Sequence, residues 1–133
     1  MSLIAANSHH TVARTMDRLV AALERRGIAV FARVDHGAGA RGAGLSLAEE
    51  EVLIFGDARV GTLLMQDDPE IGYELPLRVL VWDADGQTKV GYRAPVGLAD
   101  GYAVADREEI LQRMGVLLEA LVAESTALTE HAD

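Results

Sequence analysis

Leu75-Pro76-Leu77-Arg78-Val79-Leu80-Val81-Trp82-Asp83-Ala84-Asp85-Gly86-Gln87-Thr88-Lys89-Val90-Gly91-Tyr92 holds two apolar runs around a short polar turn. Leu75 to Trp82 is the most hydrophobic candidate strand. Asp83-Ala84-Asp85-Gly86 then reads as a turn, and Asp-Gly between two apolar runs is a strong hairpin signal. Gln87 to Tyr92 returns as the partner strand. Two strands joined so closely are antiparallel, so at least part of the sheet is antiparallel.

Two helical patterns flank this region. From about His9 to Arg26, Val12, Met16, Leu19, Val20 and Leu23 recur on one stripe of a helix. Ser8 is the candidate N-cap and Gly27 the candidate residue just past the end. From 107 to 125, Ile110, Leu111, Met114, Leu117, Leu118, Leu121 and Val122 form a wide apolar stripe. Asp106 and Glu109 have capping-box spacing before it. Residues 126–133 read as a frayed tail, and residues 1–7 as a weak strand or arm.

Between the helices lie more strands: Ile28 to Val34 and Glu51 to Phe55. Residues 57–74 read as a connection with one helical turn around Thr62 to Met65. Strands thus cluster between helices rather than alternating with them. That favours an α+β fold over a doubly wound parallel sheet. One domain spanning 1–133 accounts for the whole chain.

Composition bounds the function. Half of the 133 residues are hydrophobic, and a chain of this size hides roughly two-thirds of its unfolded surface. A core without disulfide or cofactor is therefore expected. The absence of cysteine removes thiolate chemistry and sulfur-ligated metals. A net charge of −9 disfavours nucleic acid, whose binders need Lys and Arg at phosphates. The longest apolar run, Val79 to Trp82, is far too short to cross a bilayer. With no basic-then-apolar leader at the N-terminus, a cytoplasmic location is the expectation. Residues 1–42 carry six Arg against three acids, and residues 43–133 carry six basic groups against eighteen. Such patches could meet in self-association; the plainer reading is solvated helix faces.

Gly37, Gly39 and Gly42 spell G-x-G-x-x-G after a strand, with Asp57 twenty residues beyond Gly37. This matches the dinucleotide fingerprint on paper. The segment from Gly42 to the next strand is too short for a crossover helix, which usually needs a dozen residues or more. The next well-marked unit is a hairpin rather than further βα units. A turning surface segment is the better reading, and no cofactor is expected.

The order Asp35-His36, Gly44-Leu45-Ser46-Leu47, Leu53-Ile54-Phe55-Gly56-Asp57, Gly61-Thr62, Leu64-Met65, Gly72-Tyr73-Glu74-Leu75-Pro76-Leu77 and Gly91-Tyr92 with Pro95 resembles the bacterial family called domain of unknown function 302. The resemblance covers nearly the whole chain. It implies a β-α-β(4)-α order, a curved antiparallel sheet with two long helices packed on it, and a homodimer. It implies no activity. It also makes Gly44 the family's glycine and sets Ala38 and Ala40 on a short helical turn. The chain departs from the family at Asp57-Ala58, where Asn-Pro is usual, at Leu63, where Pro is common, and at Glu74, where Asp is common. Asp57 keeps an acceptor but loses the amide donor.

Candidate site residues lie at strand ends. His36 could serve as acid or base near neutral pH; the alternative is a hydrogen-bonded turn residue. Arg59 offers a forked donor for an anion, or a local pair with Asp57. Tyr92 could reach a ligand or simply pack. His9 and His10 do not share a helix face, so no metal site is expected. The leading expectation is a dimeric module binding a small anionic organic ligand through Asp35, His36, Asp57, Arg59 and Tyr92. A small enzyme using His36 as base with Arg59 on substrate is one alternative. An interaction or structural homodimer without a pocket is the other.

Overall fold

A computed structural model describes residues 3–129. The hairpin forms as the sequence indicates. Strands β4 (Leu77–Ala84) and β5 (Gln87–Tyr92) pair antiparallel and close at Ala84 opposite Gln87. The two turn residues, Asp85 and Gly86, have φ of 52° and 92°. Two positive φ values give the mirror-image turn that matches strand twist. The Asp83 carboxylate accepts from the Gly86 amide at 2.8 Å and fixes the turn.

The sheet has five strands. β1 (Ile4–Asn7) pairs with β5, β3 (Glu50–Gly56) with β4, and β2 (Ala29–Asp35) with β3, all antiparallel. The order across the sheet is β1-β5-β4-β3-β2. A register shift between Val30 and Ala32 bulges β2.

Two long helices, α1 (Val12–Arg25) and α4 (Glu108–Thr126), pack on one face of the sheet. Met16, Leu19 and Leu23 from α1 and Leu118 and Leu121 from α4 meet Leu53, Phe55, Val79, Val81 and Val90 from the sheet. Alternation along each strand sends every second side chain to this core. Val52, Ile54, Arg78, Leu80 and Trp82 therefore project from the other face.

Helix ends explain where the chain turns. Thr11, rather than the expected Ser8, caps α1 by accepting from the Arg14 amide at 3.1 Å. Ser8 is buried, and its hydroxyl is 2.7 Å from that of Thr15. Gly27 stands just past α1 at φ 66°, with Gly27 N–H on the Glu24 carbonyl and Ile28 N–H on that of Leu23. That double bond pattern closes a helix C-terminus and needs the left-handed residue. At α4 the expected Asp106 cap is absent. A short 3-10 turn, Ala105–Arg107, leads into the helix and places Arg107 at the cap position, so Asp106 falls too early.

The connections hold more helix than the sequence pattern suggests. The glycine-rich segment is helix α2 (His36–Gly42), capped by Asp35, which accepts from the Ala38 amide at 2.8 Å. Gly37, Gly39 and Gly42 all lie inside it, and Gly44 at φ 76° ends it in the same way as Gly27 ends α1. Residues expected as one helical turn form a ten-residue helix, α3 (Ala58–Asp67), followed by a 3-10 helix at Pro69–Tyr73. Asp57 caps α3. From the sequence, Asp57 is expected only as a ligand contact or a partner of Arg59, and the structure adds the capping role. Of the expected frayed tail, Thr126 still belongs to α4, and the Arg18 guanidinium donates to the carbonyls of Ala127 and Thr129. Residues 130–133 lie outside the described part.

Candidate functional site

Where the sheet ends at Gly56, α3 and the lower half of α4 do not close against it. Ile28, Phe31, Val60, Leu63, Met65, Leu75, Met114 and Leu117 surround a cavity of about 430 Å3 there. A cavity of that size fits a small organic molecule. Its walls are apolar, and the charged groups on them are Asp57 and Arg113.

The glycines of this region shape the walls. A Cβ on Gly56 would come within 3.3 Å of the Pro76 Cβ, and one on Gly72 within 3.2 Å of the Met65 sulfur. A Cβ on Gly61 would sit 3.7 Å from Leu75. Below the cavity, Leu64, Ile71, Val104 and Leu111 make a second small core that supports α3. Two contacts tie this end of α3 to the segment before α4: Arg107 donates to Asp67 at 2.9 Å, and the Ala103 amide donates to Asp68 at 2.9 Å.

The charges on the walls differ. Asp57 accepts from the Arg59 amide at 2.9 Å and from the Arg59 side chain at 3.2 and 3.3 Å. The Arg59 guanidinium holds the Asp57 carboxyl below its ordinary range. Asp57 thus already places a negative charge at the N-terminus of α3, where the helix favours one. Arg113 pairs with Glu109 at 2.6 Å, and both side chains are more than three-quarters exposed. So exposed a pair is weak, and Arg113 can turn to another anion.

A second, wider hollow of about 810 Å3 adjoins the first at Pro76 and Leu77. His36, Glu74, Arg78, Tyr92 and Arg93 lie on it. Tyr92 is 6 % exposed and part of the main core. Burial, and then the Glu119 carboxylate, push its hydroxyl up.

The five residues expected to form one site are thus dispersed. Asp57 lies on the apolar cavity, His36 and Tyr92 on the second hollow, and Asp35 and Arg59 on neither. Arg59 is 91 % exposed. Register gives the reason. β2 and β3 pair from Ala29 opposite Gly56 to Asp35 opposite Glu51. His36 therefore follows one end of this pair and Asp57 the other, roughly 20 Å apart at ~3.3 Å per residue. His36 and Arg59 thus lie at opposite ends of the β2–β3 pair rather than side by side. Asp35 and Asp57 have the same local task, as helix caps. The cavity-lining residues Ile28, Phe31, Met114 and Leu117 were not singled out in the sequence, because each looks like an ordinary core residue. Among the described residues, no three His, Asp or Glu side chains gather as a metal site would require.

Comparison with known proteins fits this architecture. The family model described as "Domain of unknown function DUF302" matches residues 4–121. The chain belongs to the DUF302 family. Its fold resembles that of an uncharacterized conserved DUF302 protein from Bacillus stearothermophilus, with a TM-score of 0.79 at 20 % identity, covering 96 % of this chain and 99 % of that one. This DUF302 chain is also 40 % identical over 130 residues to a protein of Brucella suis biovar 1 (strain 1330) named fluoride-specific ion channel FluC 1. That match covers 98 % of this chain and 49 % of the relative. A protein of the same name from Brucella abortus biovar 1 (strain 9-941) is likewise 40 % identical, with 46 % of its length covered. The chain spans about half the length of these relatives. Among its described residues, no helix is long and apolar enough to cross a membrane. The family resemblance read from the sequence also bears on the cavity. Gly56, Asp57, Gly61, Met65, Gly72, Leu75, Pro76 and Leu77 all belong to the motifs that carry it, and all line the cavity.

Proposed function

We propose that this DUF302 chain is a dimeric binding module for a small, mainly apolar organic molecule bearing one acidic group. The observation that carries this reading is the apolar cavity at the Gly56 end of the sheet. Burying an apolar body there is favourable by about 25 cal/mol per Å2 removed from water. The acidic group is assigned to Arg113, since Asp57 repels a second anion at the start of α3. The cytoplasm is the proposed location.

Thermal-shift measurements with straight-chain carboxylates of increasing length test this function. Stabilisation that grows with chain length and is weaker for the matching alcohols supports it. So does its loss in Gly61→Trp, which fills the cavity. Indifference to every chain length contradicts it.

The channel-named relatives add a second expectation. Fluoride is small and strongly hydrated, and an apolar cavity cannot replace its water. In those relatives we assign fluoride conduction to the part outside the matched half. Sodium fluoride is then expected to shift the melting temperature of this chain no more than sodium chloride does. A fluoride-specific shift would contradict that assignment.

A further inference from the structure

The sheet face turned away from α1 and α4 has a half-buried apolar centre, and its Val52 and Leu80 also line the second hollow. Leu80 on β4 and Val52 on β3 stand opposite each other in register, with Ile54 and Trp82 on the same face. Val34 beside Val52, and Leu3 at the edge, are each 40 % exposed. Three charges flank this centre, and one of them, Lys89 in register with Trp82, already donates to the Asn7 side chain at 3.0 Å. Arg78 pairs in register with Ile54 at one end, and Glu50 with Trp82 at the other. Along the strands they are four residues apart, about 13 Å at ~3.3 Å per residue. Neither the Glu50 carboxylate nor the Arg78 guanidinium has a side-chain hydrogen-bond or ion-pair partner among the described residues.

We propose that this face is the homodimer interface, and that Arg78 of each copy pairs with Glu50 of the other. The inference rests on the dimeric reading above and names the surface that carries it. Its warrant is self-complementarity. A twofold axis lying between Leu80 and Val52, close to perpendicular to the strands, exchanges the two ends of the patch. It sets each Arg78 over Glu50 of the second copy and brings both apolar centres together. One operation thus satisfies two isolated charges and covers one half-buried apolar patch on each chain, as an isologous contact requires. The axis is tilted by about 20° from the perpendicular, because Arg78 and Glu50 lie on neighbouring strands ~4.8 Å apart. The strands of the two sheets then cross at about 40°, near the ~30° of aligned sheet packing. Five strands at ~4.8 Å and six residues at ~3.3 Å give a face of roughly 480 Å2 per copy. The total is about 1,000 Å2, the lower bound for a specific interface. A weak dimer that dissociates on dilution is therefore expected.

Light scattering across a dilution series, with circular dichroism to confirm folding, tests this with charge swaps. Arg78→Glu and Glu50→Arg each place like charges in contact and are expected to weaken the dimer about tenfold or more. The double variant Arg78→Glu/Glu50→Arg restores opposite charges and is expected to regain wild-type dimerisation. A wild-type dimer that ignores both single swaps, or a double variant as weak as the singles, overturns the face assignment and leaves the dimeric reading intact. A wild-type chain that stays monomeric at every concentration overturns both.

Discussion

The Trp82 indole lies over Gly91 on the neighbouring strand: a Cβ on Gly91 would stand 3.0 Å from one ring carbon of Trp82 and 3.1 Å from Leu3. Both residues belong to the open face, β4 and β5 pair here, and Trp82 is the chain's single tryptophan. Gly91 is thus the floor on which the indole rests.

Gly91→Ala forces the ring off the sheet. A new methyl in a packed site costs ~1–3 kcal/mol, and Leu3, at the exposed edge, can yield part of the space. A loss of about 1 kcal/mol in urea unfolding is expected, with a red shift in tryptophan emission. Unchanged emission would show that the indole does not sit on Gly91.

The ends of α1 and α4 are joined by charge. Glu124 accepts from Arg26 and, at 2.8 Å, from Arg25. Arg26 first, then Arg25, lower the Glu124 carboxyl from 4.5 to about 2, against the opposing effect of burial. A folded value below the unfolded one means that the pair stabilises the fold above about pH 4.5. That contribution fades as pH falls from 4.5 to about 2. With Glu124 about one-fifth exposed, solvent screening reduces the contribution to the order of 1–2 kcal/mol. Glu124→Gln is expected to lose that much at pH 7 and to match the wild type near pH 2. An equal deficit at both pH values would mean that packing, not charge, is responsible.

His36 and Arg59 occupy opposite ends of the β2–β3 pair. Distant sites without shared partners act additively. The double variant His36→Ala/Arg59→Ala should show the sum of the single effects on melting temperature and on ligand-induced stabilisation. Arg59→Ala alone, removing a side chain that is 91 % exposed, should change the melting temperature by less than about 2 °C. Non-additivity would place the two residues in one site.

The sequence showed the hairpin and both long helices because their signals are local. Asp85-Gly86 needs only its own backbone preference, and the stripes of Met16, Leu19 and Leu23 or of Leu118 and Leu121 need only helical periodicity. Gly27 was legible for the same reason. The start of α4 was not, since whether Asp106 caps it depends on the 3-10 turn at Ala105–Arg107. Asp35 and Asp57 were recognisable as polar residues at strand ends. Such a residue caps only if the next segment of chain is helical, and α2 and α3 are weakly patterned. The cavity was least legible. Phe31, Leu63 and Met114 have core-like side chains, and only the gap between α3, α4 and the end of β3 turns them into a wall. The resemblance to the DUF302 family marked Gly56, Gly61 and Gly72 without saying what they surround.

Methyl NMR of the chain titrated with decanoate examines the cavity most directly. Saturable shifts confined to Val60, Leu63, Met65, Met114 and Leu117 are expected, with Leu19, Leu53 and Val81 in the main core unmoved. Arg113→Ala is expected to weaken the titration, and Gly61→Trp to abolish it. Shifts centred on Leu80 and Val52 instead, or no saturable shift, would contradict a ligand site between α3 and α4.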